Sequence, residues 1–267
     1  MKIGSRSGIL TSLSLLALFN VSPGRAQQTK APFTSGETLT YEVTWKVFSA
    51  GQVVATLRKT GETARDDYEV KATARSQGFV SLLFKVRNEF DALFDPQTLC
   101  SHQISKQVHE GRRHKETHIV FDAARRLAIL DERDLGNPNA PPKHAENEIP
   151  ACVADVVSAF YFVRSRPLQV GEKFALNIND GSKTHEVLVD VQARERIETP
   201  LGSRIALRVE PKVFGGLYRR KGRMLLWFSD DEQRLPLRVK AMISLGAITG
   251  TLKSVSTDPA SDASGKP

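Results

Sequence analysis

Cysteine is scarce in this sequence: Cys100 and Cys152 are the only two in 267 residues. They show no C-x-x-C spacing, which argues against a metal site built on them. Aromatic residues make up only 7% of the chain. No stretch matches a phosphate-cradling P-loop, a dinucleotide-binding fingerprint or the G-x-S-x-G turn that presents a nucleophilic serine. A second apolar run long enough to span a membrane is also missing beyond the amino terminus. No cofactor and no metal are therefore expected, and no local motif names a reaction.

The one extended apolar run is short and lies at the start. Lys2 and Arg6 precede it without any acid, and Ile9 to Phe19 is broken only by Thr11, Ser12 and Ser14. Gly24 and Ala26 place small residues at the −3 and −1 positions before Gln27, and Pro23 keeps the stretch extended. This is the pattern of a secretory signal peptide over residues 1–26, cleaved after Ala26. A retained anchor or a buried core helix is the alternative. No cysteine lies near the cleavage site, which disfavours a lipid anchor and points to a soluble periplasmic protein. The formal charge of +8 includes Lys2, Arg6 and Arg25, so three of those charges belong to the removed segment. The mild remaining excess does not read as a nucleic-acid groove. In an oxidising compartment Cys100 and Cys152 read as one disulfide, against the alternative of two separately buried thiols.

Most of the mature sequence alternates apolar and polar with period two, as half-buried antiparallel strands do. Leu39, Tyr41, Val43, Trp45 and Val47 share one face of the first strand, and further strands are predicted over 84–94, 99–108, 113–122 and 126–132. Residues 134–150 contain Pro138, Pro141 and Pro142 and read as a loop. A helix is predicted over 151–166, with Asp155 at its positive end and Val153, Val156, Val157, Phe160 and Val163 along its apolar face. Strands resume from 171 to 255, and the tail 257–267 reads as disordered. The expectation is one mainly β (α+β) domain over 27–256: a strongly curved antiparallel sheet, a partial barrel or two packed sheets, with one main helix covering it. Gly171-Glu172 echoes Gly36-Glu37, which hints at related halves over 33–133 and 168–256.

Few residues stand out as carriers of chemistry. His114, Glu116 and His118 alternate on one strand, but a ~6.6 Å spacing of alternate residues keeps the two imidazoles from sharing one ion. Asp230 and Asp231 follow Trp227 and read either as paired acids for glycan chemistry or as a turn. Tyr218, Arg219 and Arg220 sit in a glycine-rich basic hairpin suited to anionic headgroups. Phe79 and Leu83 belong to an apolar connection that reads either as core or as the mouth of an apolar cavity. With Trp45, Phe160 and Trp227 they make up the candidate ligand-binding set.

Several separated motifs carry a family resemblance. Gly36-Glu37-x-Leu39-x-Tyr41-x-Val43-x-Trp45 opens the domain, and Asp155-Val-Val-Ser158-Ala159-x-Tyr161-x-x-Arg164 forms the helix. Arg194-Glu195-x-Ile197-x-Thr199-Pro200-x-Gly202, Val209-Glu210-Pro211, Trp227-Phe228-Ser229-Asp230-Asp231 and Arg234-x-Pro236 follow. From about Phe33 to Val255 the chain resembles the bacterial exported family called domain of unknown function 3108, which implies an envelope location and a β-rich fold but no activity. The carboxy-terminal third, with Leu235-Pro236, Gly246 and Leu252, also resembles periplasmic lipoprotein carriers of the half-barrel type, whose curved sheets take acyl chains. Arg164 and Glu195 lie in these motifs and read either as internal ion-pair partners or as ligand contacts.

Three functions stay open on these readings. The first is a non-enzymatic envelope protein binding an apolar or amphipathic ligand, lipid or lipoprotein. The second is an envelope glycan hydrolase or lyase. The third is an assembly partner for another envelope protein.

Overall fold

A computed structural model describes residues 31–60, 66–213, 222–244 and 246–258, with the backbone alone at Val213. The expected signal peptide, the hairpin residues Tyr218, Arg219 and Arg220, and most of the expected tail lie outside the described residues.

Among the described residues fourteen strands form one antiparallel sheet. In chain order they are β1 (Glu37–Trp45), β2 (Phe48–Thr60), β3 (Asp67–Ser76), β4 (Val86–Phe94), β5 (Ser101–Glu110), β6 (Arg113–Asp122) and β7 (Leu127–Asp134). They continue with β8 (Lys143–Glu148), β9 (Lys173–Asn179), β10 (Thr184–Thr199), β11 (Gly202–Val213), β12 (Arg223–Ser229), β13 (Pro236–Ile243) and β14 (Gly246–Thr257). Helix α1 (Gly78–Leu83) lies between β3 and β4, and α2 (Ser158–Ser165) between β8 and β9. Two meanders, β1–β8 and β9–β14, meet where β1 pairs with β14.

The ladder stays open between β8 and β9. Side chains draw these two edges together instead. Asn147 Nδ2 on β8 donates to the Gly181 carbonyl at 2.8 Å, and Asn179 Nδ2 donates to Asn147 Oδ1 at 2.8 Å. Gly181 takes φ 96°, and a Cβ there would lie 2.5 Å from Leu130. Only glycine fits so close an approach.

Each meander begins with the same device. Gly36 takes φ 85° and its amide donates to Leu57 of the second strand; Gly171 takes φ 92° and its amide donates to Val191 of β10. The Glu37 and Glu172 amides each close a turn three residues back. Both Gly-Glu steps thus lie in turns with the same pattern of amide bonds.

Helix α2 fills the concave side. Ala159 and Val163 pack with Leu176, Val189, Val191 and Phe228, while Tyr161 packs with Phe33, Leu57, Val70 and Phe94. It therefore joins the cores of both meanders.

Four expectations need correction. The helix starts at Ser158, not at residue 151, because residues 153–154 spend their backbone groups elsewhere. The Ser101 amide donates to Val153, and Ala154 exchanges bonds with Asn177 and Asn179 of β9. Val156 is consequently 43% exposed instead of buried on a helical face. The loop expected over 134–150 carries β8 at its end, and the proline-rich part remains turn. The strand expected from residue 84 begins at Val86, preceded by α1. The tail expected from residue 257 is strand at Thr257, which pairs with Glu37. No helix among the described residues is long and apolar enough to cross a membrane.

Candidate functional site

The interior is closed at one end and open at the other. Along a strand alternate residues share a face, so the inward set can be followed from end to end. On β3 it runs Tyr68, Val70, Ala72 and Ala74; the first two are buried and the last two only half-buried. On β1 Leu39 and Tyr41 are buried, whereas Val43 and Trp45 are half-buried. Strand β13 repeats the gradient from buried Leu237 to half-buried Val239 and Ala241. On β4 Phe94 and Ala92 are fully buried and Phe90 is half-buried, but the next inward residue, Asn88, is buried again at 7% exposure.

Polar side chains lock the closed end. Arg164, 1% exposed, sends Nη1 and Nη2 to the two carboxylate oxygens of Glu37 at 2.6 and 2.8 Å. Tyr41 donates its hydroxyl to the Pro236 carbonyl at 2.9 Å. Burial pushes the phenol pKa of both Tyr41 and Tyr161 well above the usual value. Asp155 accepts from the Val157 and Ser158 amides at 2.6 and 3.1 Å through Oδ1, and from the Ser101 hydroxyl at 2.6 Å through Oδ2. Beside it Cys100 and Cys152 form a disulfide with a Cα–Cα distance of 5.1 Å.

The rim of the open end is apolar and basic. Val47, 86% exposed, lies in the β1–β2 turn, and exposed Phe48 opens β2. Phe79, Leu82, Leu83 and Phe84 of the α1 segment are all exposed, and the start of β2 packs against α1. Arg75, Lys85 and Arg87 line an open recess of about 480 Å³ beneath α1, with Leu82 on its wall. A second recess holds His109 and His114, whose Nδ1 atoms are 2.9 Å apart.

The sequence-derived candidates scatter over this frame. Trp45, Phe79 and Leu83 lie at the open end, whereas Phe160 packs into the core and Trp227 is buried. Trp227 donates its indole N–H to Glu195 Oε1 at 2.6 Å, and Arg208 binds Glu195 Oε2 at 3.1 Å. Asp230 pairs with Arg194 at 2.5 Å. Asp231 accepts from Ser229 and from the Gln233 and Arg234 amides, the self-bonding of an acidic turn. His118 bonds Ser105 and Glu116 bonds Gln107, so the His-x-Glu-x-His run is divided among separate partners. Sequence reasoning missed Glu37 as the partner of Arg164. Its signal was a charge at an inward position of β1, in phase with Leu39 and Tyr41.

The motifs and the fold converge in the comparisons. The profile of the family described as protein of unknown function, DUF3108, matches residues 40–253. The chain belongs to this family. No curated protein matches it. Among solved structures, the DUF3108 chain is similar to a β-barrel-like protein of domain of unknown function DUF1849 from Brucella abortus, with TM-score 0.55 and 7% identity over 84% of this chain and 98% of that one. That likeness concerns the fold alone. An exported-protein candidate with a YmcC-like fold from Bacteroides fragilis aligns at TM-score 0.36 and 10% identity, over 85% of this chain and 98% of that one. This chain is thus a curved antiparallel sheet with the fold of the β-barrel-like DUF1849 protein.

Proposed function

We propose that this DUF3108 protein is a non-enzymatic cell-envelope protein, exported to the periplasm, that takes an apolar or amphipathic ligand such as a lipid or lipoprotein into the open end of its sheet. The observation that carries the reading is the contrast between the two ends of one interior. Fully buried side chains and the Arg164–Glu37 pair close one end, while small, half-buried apolar residues line the other. Ala72, Ala74 and Ala241 are small inward residues at that end, and such an apolar strip suits an acyl chain. The exposed apolar face of α1 stands at the same end, where a ligand would pass. Asp230, Asp231 and Glu195 are each committed to structural partners, so they lend no support to the glycan-hydrolase reading.

Native mass spectrometry of the protein after gentle purification tests the proposal. A lipid-sized adduct is expected on the native protein and is lost when the open end is filled by Ala72→Phe with Ala74→Leu. A protein that carries no adduct, and takes none up from lipid vesicles, would overturn it.

A further inference from the structure

The inward positions of β5 run Ile104, Lys106, Val108 and Glu110, whose Oε1 accepts from Asn88 Nδ2 at 2.7 Å. Ile104 is fully buried and pairs with Ala92 and Ile119, so Lys106 points into the same interior, two residues nearer the open end. Its cross-strand neighbours are Phe90 on β4 and Thr117 on β6. A lysine directed inward is normally paired. Lys115, two strand positions from Thr117, follows that rule: its Nζ donates to Glu132 Oε1 at 2.5 Å, while Thr117 donates to Glu132 Oε2 at 3.3 Å. The Lys106 side chain makes no ion pair and no hydrogen bond with the described residues. Burial lowers its pKa, opposed at longer range by Asp155, Asp180 and Glu132. Lys106 is half-buried and its Nζ keeps contact with solvent, so the ammonium can meet an anionic group.

We propose that Lys106 is the headgroup anchor of the interior site, binding the anionic end of an amphiphile, a carboxylate or a phosphate monoester, whose chain lies against Phe90, Ala72 and Ala74. This rests on the binding function proposed above and adds the charge class of the ligand. An anion at Lys106 gains a charge-assisted hydrogen bond, which is stronger than a neutral one. A neutral lipid with the same chain gains no such bond, so the site discriminates by headgroup charge.

The test titrates the delipidated full-length mature protein with three probes of one chain length: laurate, dodecanol and lauroyl lysophosphatidate. Wild type should bind at least one anionic probe roughly tenfold tighter than dodecanol, about what one added charge-assisted bond contributes. Whichever anion binds tighter identifies carboxylate or phosphate as the source. Lys106→Met should erase the preference and leave dodecanol binding unchanged, and Lys106→Arg should keep it. Should Lys106→Met fail to fold, Lys106→Gln against Lys106→Arg makes the same comparison. Equal binding of acid and alcohol by wild type, or an unaltered preference in Lys106→Met or Lys106→Gln, overturns the anchor and leaves the apolar-ligand function standing. Failure of all three probes to bind overturns both.

Discussion

Arg164 on α2 grips both carboxylate oxygens of Glu37 on β1, 127 residues earlier in the chain. The rest of the guanidinium is also used: Nη2 donates to the Pro32 carbonyl at 3.1 Å and Nε to the Gln233 carbonyl at 3.0 Å. Arg234 returns a bond from its own Nε to the Arg164 carbonyl at 2.7 Å. One side chain thus ties the end of α2 to the first strand and to the β12–β13 turn. The planar fork makes this arrangement specific to arginine.

Removing one partner of that pair strands a buried charge. Arg164→Ala is expected to lower stability by about 3–5 kcal/mol, and Arg164→Lys should recover little of it, because an ammonium cannot bind both oxygens. Glu37→Gln should cost less than Arg164→Ala, since the arginine retains its carbonyl acceptors. Urea unfolding monitored by circular dichroism measures all three. An unchanged midpoint in Arg164→Ala would remove the pair from the structural account.

The disulfide closes a loop of sequence separation 52. On the chain-entropy model its loss costs about 4 kcal/mol. Cys100→Ser with Cys152→Ser should therefore melt well below the oxidised protein, and a reductant should lower the wild-type midpoint to match. Equal melting of oxidised and reduced wild type would contradict this.

Asp155 caps α2 from inside the core. Its carboxylate accepts two amides and a hydroxyl. Asp155→Ala should cost about 2 kcal/mol, the upper end for a lost helix cap. Asp155→Asn, which keeps an acceptor oxygen, should retain part of the loss. Near-UV circular dichroism, reporting the Tyr161 cluster at the same helix, should lose intensity at lower temperature in Asp155→Ala.

Glu210 gives an acid-side prediction. The Arg223 guanidinium bonded to it holds its pKa below the usual carboxylate value, assisted by Gln192 and opposed by burial. A folded pKa below the unfolded one means that stability is present above the unfolded value, near pH 4.3, and is lost as pH falls through the folded one. Glu210→Gln should therefore lower stability at pH 7 and flatten its decline between about pH 5 and pH 3. Parallel stability-versus-pH curves for the two proteins would show that the ion pair contributes nothing.

Much of the sheet was legible because a half-buried strand writes its period into the sequence. Leu39, Tyr41 and Val43 and the run Tyr68, Val70, Ala72 and Ala74 announce both strand and inward face. Helix α1 was not legible, since its six residues carry no side-chain cap and present apolar side chains to water, against the usual amphipathic pattern. The start of α2 was misplaced for a different reason. Val153 and Ala154 fit a helical face, but β5 and β9 claim their backbone groups first. The candidate residues separated similarly, as Phe160 and Trp227 look like Trp45 and Phe79 in sequence but lie in the core, not at the open end.

The sequence by itself determined the antiparallel β class, the family motifs and the inward or outward sense of most strand residues, because these depend on period-two alternation within a few neighbours. Only the tertiary structure decided that Arg164 meets Glu37, that inward side chains on β1, β3 and β13 pass from buried to half-buried, and that the Lys106 side chain faces inward with no partner among the described residues. Those facts depend on pairings between distant strands and on how far the sheet curls, and no local pattern encodes either.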